Sequence, residues 1–105
     1  RTVSYMDGIA PLISLEYWKI CGLDWADNPV GYGVDVLFSM QAARLGWKLA
    51  VDHTFPMRHR YHGTARSVSG FMSFAAKLEH SFLHSRLGLD YRQIVQRLSL
   101  ESTEY

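Results

Sequence analysis

Apolar positions recur at helical spacing in four parts of the chain: after Ser14, over 35–45, over 69–87 and over 91–100. Ser14 is a good N-cap for the first of these segments. A glycine follows each of the first three, and glycine in the left-handed conformation commonly ends a helix. The pattern therefore predicts three to four helices.

Shorter segments predict strands and loops. Residues 3–14 mix apolar and small side chains around Gly8 and Pro11, which favours one extended strand with a turn or bulge. Residues 47–52 alternate over a short span and are rich in strand formers, so they predict a second strand after the helix that ends at Gly46. Residues 24–33 hold two Asp, Asn-Pro and two Gly, the composition of a loop. This order of elements indicates an α/β domain with a few short strands.

Length and composition favour one small globular domain. The chain has 105 residues, of which 48% are hydrophobic and 20% charged. A net charge of +1 is too small to indicate a nucleic-acid surface.

Cys21 is the only cysteine, so we expect no intrachain disulfide, a small buried side chain and a cytoplasmic location. No apolar run reaches the roughly 20 residues of a membrane helix, so we expect any membrane association to come from parts outside this chain.

The most specific pattern runs from Gly31 to His59. It begins Gly31-Tyr-Gly-Val-Asp35, continues through a helix, Gly46 and a strand, and ends Pro56-Met-Arg-His59. Over about residues 3–66 this order resembles the acceptor side of the GT-A fold in inverting glycosyltransferases of family 2. The resemblance implies a partial GT-A fold in a single domain, 1–105, with residues 1–66 as the acceptor and catalytic-base region and 67–105 as C-terminal helices. It also implies a C-terminal portion of a longer enzyme, because the nucleotide-binding half and an Asp-x-Asp motif do not occur in the chain.

The implied reaction is transfer of a sugar from a nucleotide-sugar to an acceptor hydroxyl with inversion. Asp35 would be the general base, a role that requires a carboxylate within hydrogen-bond reach of the hydroxyl. Many relatives carry Glu-Asp at this point, whereas this chain has Val34-Asp35, which leaves one carboxylate. The alternative for Asp35 is that its side chain caps the following helix.

The resemblance also implies roles for neighbouring residues. His59 would lie near a divalent cation, Mn²⁺ or Mg²⁺, expected in the full-length enzyme, and a zinc site with His53 and His62 is a weaker alternative. The donor diphosphate would be bound by Arg58, Arg60 and Arg66. The acceptor would lie against Trp25, Tyr32, Gly33 and Asp27. For each basic residue a solvated loop remains the alternative.

Expected partners are a nucleotide-sugar donor, a carbohydrate or other hydroxyl acceptor, and either the missing N-terminal half or a second copy of the chain. Alone, the chain is expected to be inactive.

Two alternatives to a transferase remain. One is a non-catalytic carbohydrate-binding remnant. The other is a helical interaction module that assembles through the aromatic stripe of Phe71, Phe74, Leu78 and Phe82.

Overall fold

The computed structural model describes residues 2–7, 10–23, 26–60 and 63–101. Its elements, in chain order, are β1 (Thr2–Val3), α1 (Leu15–Cys21), α2 (Val34–Leu45), β2 (Leu49–Ala50), a 3-10 helix (Ala65–Ser67), α3 (Phe71–Leu87) and α4 (Tyr91–Glu101). The described part of the chain is therefore a mixed α and β structure that is mostly helical, as expected for a small α/β domain. None of these helices is long and apolar enough to cross a membrane.

The helix ends follow the capping residues of the sequence. The Oγ of Ser14 accepts a hydrogen bond from the backbone N–H of Tyr17 at 3.4 Å, which confirms the predicted start of α1. The residues that follow α1, α2 and α3 are the predicted glycines, each in the left-handed conformation. Helix α2 starts one residue earlier than predicted and α3 two residues later. All four predicted helices are confirmed.

The strands are much shorter than predicted. Thr2 pairs with Ala50 and Val3 with Leu49, in an antiparallel sheet of two strands. Of the described residues between 3 and 14, only Val3 belongs to a strand, so the prediction of one extended strand there is wrong for the others. The prediction of a strand over 47–52 holds only for Leu49 and Ala50. The sheet has two strands of two residues each, so most of the neighbouring backbone groups are not paired within it. The N–H of Met6, for example, donates to the Oγ of Ser39 on α2 at 2.9 Å.

Helix α2 forms the centre of the core. Leu37 and Phe38 are both 0% exposed, and side chains from α1, α3 and α4 pack around them. Trp18 meets the ring of Phe38 edge-on, with 5.3 Å between the ring centroids. The Nη2 of Arg86 on α3 donates to the carbonyl of Cys21 at 2.5 Å, so α3 is tied to the end of α1. The first turn of α2 is therefore held by a packed core on the side away from solvent.

Candidate functional site

The N-terminal end of α2 opens into a cavity of about 750 Å³. Its walls come from the segment after β1, the loop before α2, the start of α2, and single residues of α1, α3, α4 and the segment after β2. Four residues predicted from the sequence line this cavity together: Tyr32, Gly33, Asp35 and His59. His59 lies 24 positions after Asp35, so the fold brings together residues that are distant in sequence.

The loop before α2 is held from the inside by Asn28. This side chain is 0% exposed. Its Nδ2 donates to the carbonyl of Tyr32 at 2.7 Å, and its Oδ1 accepts from the N–H of Gly31 at 3.0 Å. Gly31 and Gly33 have φ values of 76° and 89°, which glycine adopts without a steric penalty. The backbone of the loop is therefore fixed by these bonds, and it places Tyr32 at the cavity wall.

Asp35 is the second residue of α2, and the N-cap position belongs to Gly33, which makes no side-chain capping bond. Asp35 is therefore not the N-cap residue, although its side chain does accept a backbone N–H in the first turn, as that alternative expects. The Oδ1 of Asp35 accepts from the N–H of Val36 at 2.8 Å, and Oδ2 accepts from the hydroxyl of Tyr5 at 2.9 Å. A negative charge is favourable in the first turn of a helix. The carboxylate is therefore fixed in orientation at the cavity wall.

Ser39 places Tyr5 next to Asp35. Its buried Oγ donates to the carbonyl of Asp35 at 2.7 Å and accepts from the N–H of Met6 at 2.9 Å. The segment after β1 is thereby joined to α2 one turn below the carboxylate. Burial, followed by the hydrogen bond to Asp35, raises the pKa of Tyr5 well above its ordinary value. The hydroxyl therefore stays protonated and remains a donor to Asp35.

Glu79 is a site residue that the sequence reasoning missed. It lies on α3, is half-buried and lines the same cavity as Asp35. Burial, and then the negative charge of Asp35, raise its pKa above the usual value for a glutamate. A signal was present in the sequence, because Glu79 stands four residues after Ala75 and four before Leu83, both fully buried. A carboxylate on the apolar face of a helix is unusual, so this spacing marks Glu79 as a candidate functional residue.

The other predicted residues are placed elsewhere. Arg58 and Arg60 are exposed in the segment that follows β2, and Arg66 is exposed in the 3-10 helix. Asp27 is exposed in the loop before α2. None of these four lines the cavity. Trp25, and His62 of the zinc alternative, lie outside the described residues.

The residues at this site do not form a metal centre by themselves. In the described ranges, no group of three or more His, Cys, Asp or Glu side chains could hold a metal ion. His59 lies on the cavity wall, but a divalent cation needs several ligands at once. The described residues therefore do not hold the implied cation by themselves, and the chemistry below uses none.

Comparison of the chain with protein-family models, with curated proteins and with solved structures found no match. The resemblance to the GT-A fold accordingly stays a prediction from the sequence. What the structure adds to it is the cavity, with its carboxylates, its aromatic rings and its histidine.

Proposed function

We propose that this chain is the acceptor-binding part of an inverting glycosyltransferase in which Asp35 is the general base. One observation carries the proposal. Tyr32, Gly33 and Asp35, from the start of α2, line one cavity with His59, which comes from the segment after β2, and the sequence predicted a site role for all four. The volume of that cavity, about 750 Å³, lies within the range of small-molecule sites.

The proposed chemistry follows from the position of the Asp35 carboxylate. An acceptor hydroxyl in the cavity donates a hydrogen bond to this carboxylate and passes its proton to it as the oxygen attacks the anomeric carbon. The bond from that carbon to the diphosphate breaks, and its electron pair leaves with the nucleoside diphosphate. The bonds from Tyr5 and Val36 orient the Asp35 carboxylate, which lines the cavity in which the acceptor hydroxyl would lie.

Aromatic residues of the cavity suit a sugar ring. Tyr32 lines the cavity, and its ring meets Phe71 edge-on with 5.9 Å between centroids. The hydrogen bond from Asn28 to the Tyr32 carbonyl fixes the backbone of the same residue. A rigid ring loses little conformational freedom on binding, which favours a role for Tyr32 as a packing surface for the acceptor.

The donor side of the reaction belongs, in this proposal, to a nucleotide-binding half that this chain does not contain. Arg58, Arg60 and Arg66 are exposed and are not among the described residues that line the cavity, so their guanidinium groups are accessible to a diphosphate bound by another part of the enzyme. A divalent cation near His59 would need its remaining ligands from that same part.

The interaction-module alternative has less support. Of its four stripe residues, Phe82 is buried in the core, Phe71 and Leu78 are partly buried, and Phe74 is exposed. Most of the stripe is therefore used inside the described fold. The carbohydrate-binding remnant uses the same cavity as the transferase and differs from it only in the absence of chemistry.

Binding of a sugar to the cavity is the first test. The ¹⁵N-labelled chain is titrated with a panel of methyl glycosides while the backbone amides of Tyr32, Gly33 and Val36 are followed by NMR. Asp35→Asn is expected to weaken binding about tenfold, because a hydrogen bond to a charged group is lost. Glu16→Gln, which neutralises an exposed carboxylate on α1, is the matched control and should bind as the wild type does.

The same variants separate catalysis from binding. In a protein that also holds the donor-binding half, Asp35→Asn should lower kcat by about 10²- to 10⁴-fold, the usual contribution of a general base. If no glycoside shifts the cavity amides, the proposal is wrong. If glycosides bind but transfer is the same in Asp35→Asn, the chain is a carbohydrate-binding module and Asp35 is not its base.

A further inference from the structure

The hydroxyl of Tyr5 lies where the proposed reaction requires the hydroxyl of an acceptor. Its Oη donates a hydrogen bond to the Oδ2 of Asp35 at 2.9 Å. A general base must lie about 2.6 to 3.2 Å from the oxygen whose proton it takes, or reach it through one water. The contact between Tyr5 and Asp35 already meets this requirement. Tyr5 also lines the cavity and is 40% exposed, so the residue is accessible to a molecule that enters there.

The position of Tyr5 is set through the backbone of the next residue. Met6 donates its N–H to the buried Oγ of Ser39 at 2.9 Å, and the same Oγ donates to the carbonyl of Asp35 at 2.7 Å. The side chain that holds this segment is therefore bonded to the backbone of the proposed base itself. The contact between Tyr5 and Asp35 is thus supported at two points, one through side chains and one through the backbone.

The phenol of Tyr5 needs a base in order to react. Burial, followed by the bond to Asp35, raises its pKa, so the hydroxyl keeps its proton at neutral pH. Its oxygen becomes a strong nucleophile only when that proton is removed. The carboxylate that can remove it is the one to which the hydroxyl already donates.

Two other tyrosines line the same cavity, Tyr32 and Tyr91. The hydroxyl of Tyr32 lies 3.9 Å from the Sδ of Met72, and the ring of Tyr91 is stacked against that of His80. These tyrosines share the cavity with Tyr5 but have other contacts. They therefore serve as internal controls for any reaction of Tyr5.

We propose that Tyr5 is a site of self-glycosylation, at which the chain accepts a sugar on its own phenolic oxygen. The inference rests on the proposed function, in which Asp35 is the general base. The Oη of Tyr5 attacks the anomeric carbon of the nucleotide-sugar, and its proton passes to the carboxylate of Asp35. The bond from that carbon to the diphosphate breaks, and its electron pair leaves with the nucleoside diphosphate. The product is an O-glycosyl tyrosine of inverted configuration, and Asp35 then releases its proton to water.

Glycosyl fluorides test this inference in the isolated chain, because fluoride is a leaving group that needs no nucleotide-binding half. The purified chain is incubated near neutral pH with the α-fluorides of glucose, galactose, mannose and N-acetylglucosamine. Peptide mass spectrometry then locates the modified residue. We expect a sugar on Tyr5, in β linkage when the donor is an α-fluoride, and none on Tyr32 or Tyr91. Asp35→Asn should slow the modification by about 10²- to 10⁴-fold, the usual contribution of a general base.

Matched variants identify the hydroxyl that reacts. Tyr5→Phe removes only the hydroxyl and should abolish the modification, whereas Tyr91→Phe and Glu16→Gln should retain it. A methyl glycoside that shifts the cavity amides should slow the modification of Tyr5, because its hydroxyl competes for Asp35. Far-UV circular dichroism confirms that each variant is folded.

The outcomes distinguish this inference from the proposed function. Transfer to a free methyl glycoside without modification of Tyr5 would overturn self-glycosylation and leave the proposed function intact. Modification of Tyr5 at an unchanged rate in Asp35→Asn would overturn the role of Asp35 in both. Equal modification of Tyr5, Tyr32 and Tyr91 would indicate uncatalysed labelling and overturn the inference. If nothing is modified, self-glycosylation is wrong, and the binding of glycosides to the cavity amides decides separately whether the acceptor site stands.

Discussion

Replacing Gly33 with alanine tests how closely the loop before α2 is packed against α3. Gly33 is buried and has a φ of 89°, and a Cβ at this position would lie 3.1 Å from the Cγ of Glu79 and 3.4 Å from the Cγ of Leu83. Gly31, two residues earlier, has a φ of 76° and nothing within 4 Å of the corresponding point. The two glycines therefore share the same backbone strain but differ in their surroundings, and Gly31→Ala is the matched control for Gly33→Ala.

The expected loss of unfolding free energy in Gly33→Ala has two parts. An L-residue in the left-handed region costs about 1 kcal/mol, and both variants have this cost. Gly33→Ala must in addition push the stem of Glu79 aside by a few tenths of an ångström, which costs about 1 kcal/mol more through an off-rotamer side chain and local overpacking. The two contacts with Leu83, at 3.4 and 3.5 Å, are close to ordinary packing distances and add little. We therefore expect Gly33→Ala to lower the free energy of unfolding by about 2 kcal/mol, and Gly31→Ala by about half as much.

Urea denaturation followed by circular dichroism measures both values, and a double-mutant cycle identifies the contact. Glu79→Ala removes the Cγ that the new methyl group meets. In this background the excess cost of Gly33→Ala over Gly31→Ala should disappear. Equal destabilisation by the two alanines in the wild-type background, or an excess that persists without Glu79, would show that the contact between the loop and α3 is not what the structure describes.

Three further variants test the supports of the cavity, each by urea denaturation. Asn28→Ala should lower the free energy of unfolding by about 2 to 3 kcal/mol, because a fully buried side chain with two backbone hydrogen bonds is lost. Ser39→Ala should cost about 1 to 2 kcal/mol, because the N–H of Met6 loses its partner. Burial and then the charge of Asp35 raise the pKa of Glu79, so the stability that its neutral form contributes is lost as the pH rises through that pKa. Glu79→Gln should therefore stabilise the chain at neutral pH and have little effect in acid.

The helices could be predicted because their signals are local. Helix α1 has a Ser N-cap and a Gly after its last residue, and these two residues set its bounds whatever it packs against. The strands could not be predicted in length, because a strand needs a partner to pair with. The alternation over 47–52 predicts a strand of six residues, but β1 offers only Thr2 and Val3 to pair with it.

The residues of the candidate site likewise fall into those that the local sequence predicts and those that depend on tertiary packing. Tyr32, Gly33 and Asp35 are adjacent in sequence, so their presence on one wall follows from the loop and the first turn of α2. The spacing of Glu79 to Ala75 and Leu83 marks it as a carboxylate on the buried face of α3, but no local pattern says that this face meets the first turn of α2. Tyr5 reaches Asp35 through a contact 30 residues apart, which no local spacing predicts.

The geometry around Asp35 depends on α2 more than on the sheet. A pair of two-residue strands is too small to hold the segment after β1 in place by itself. What holds it is the bond from the N–H of Met6 to Ser39 and the bond from Tyr5 to Asp35, and both acceptors belong to α2. One turn of the same helix lies in the core, where Phe38 is 0% exposed. Asp35 and the segment with Tyr5 and Met6 are thus attached to the helix at the centre of the core. A substitution that loosens that helix in the core should therefore weaken the site even where it contacts no ligand.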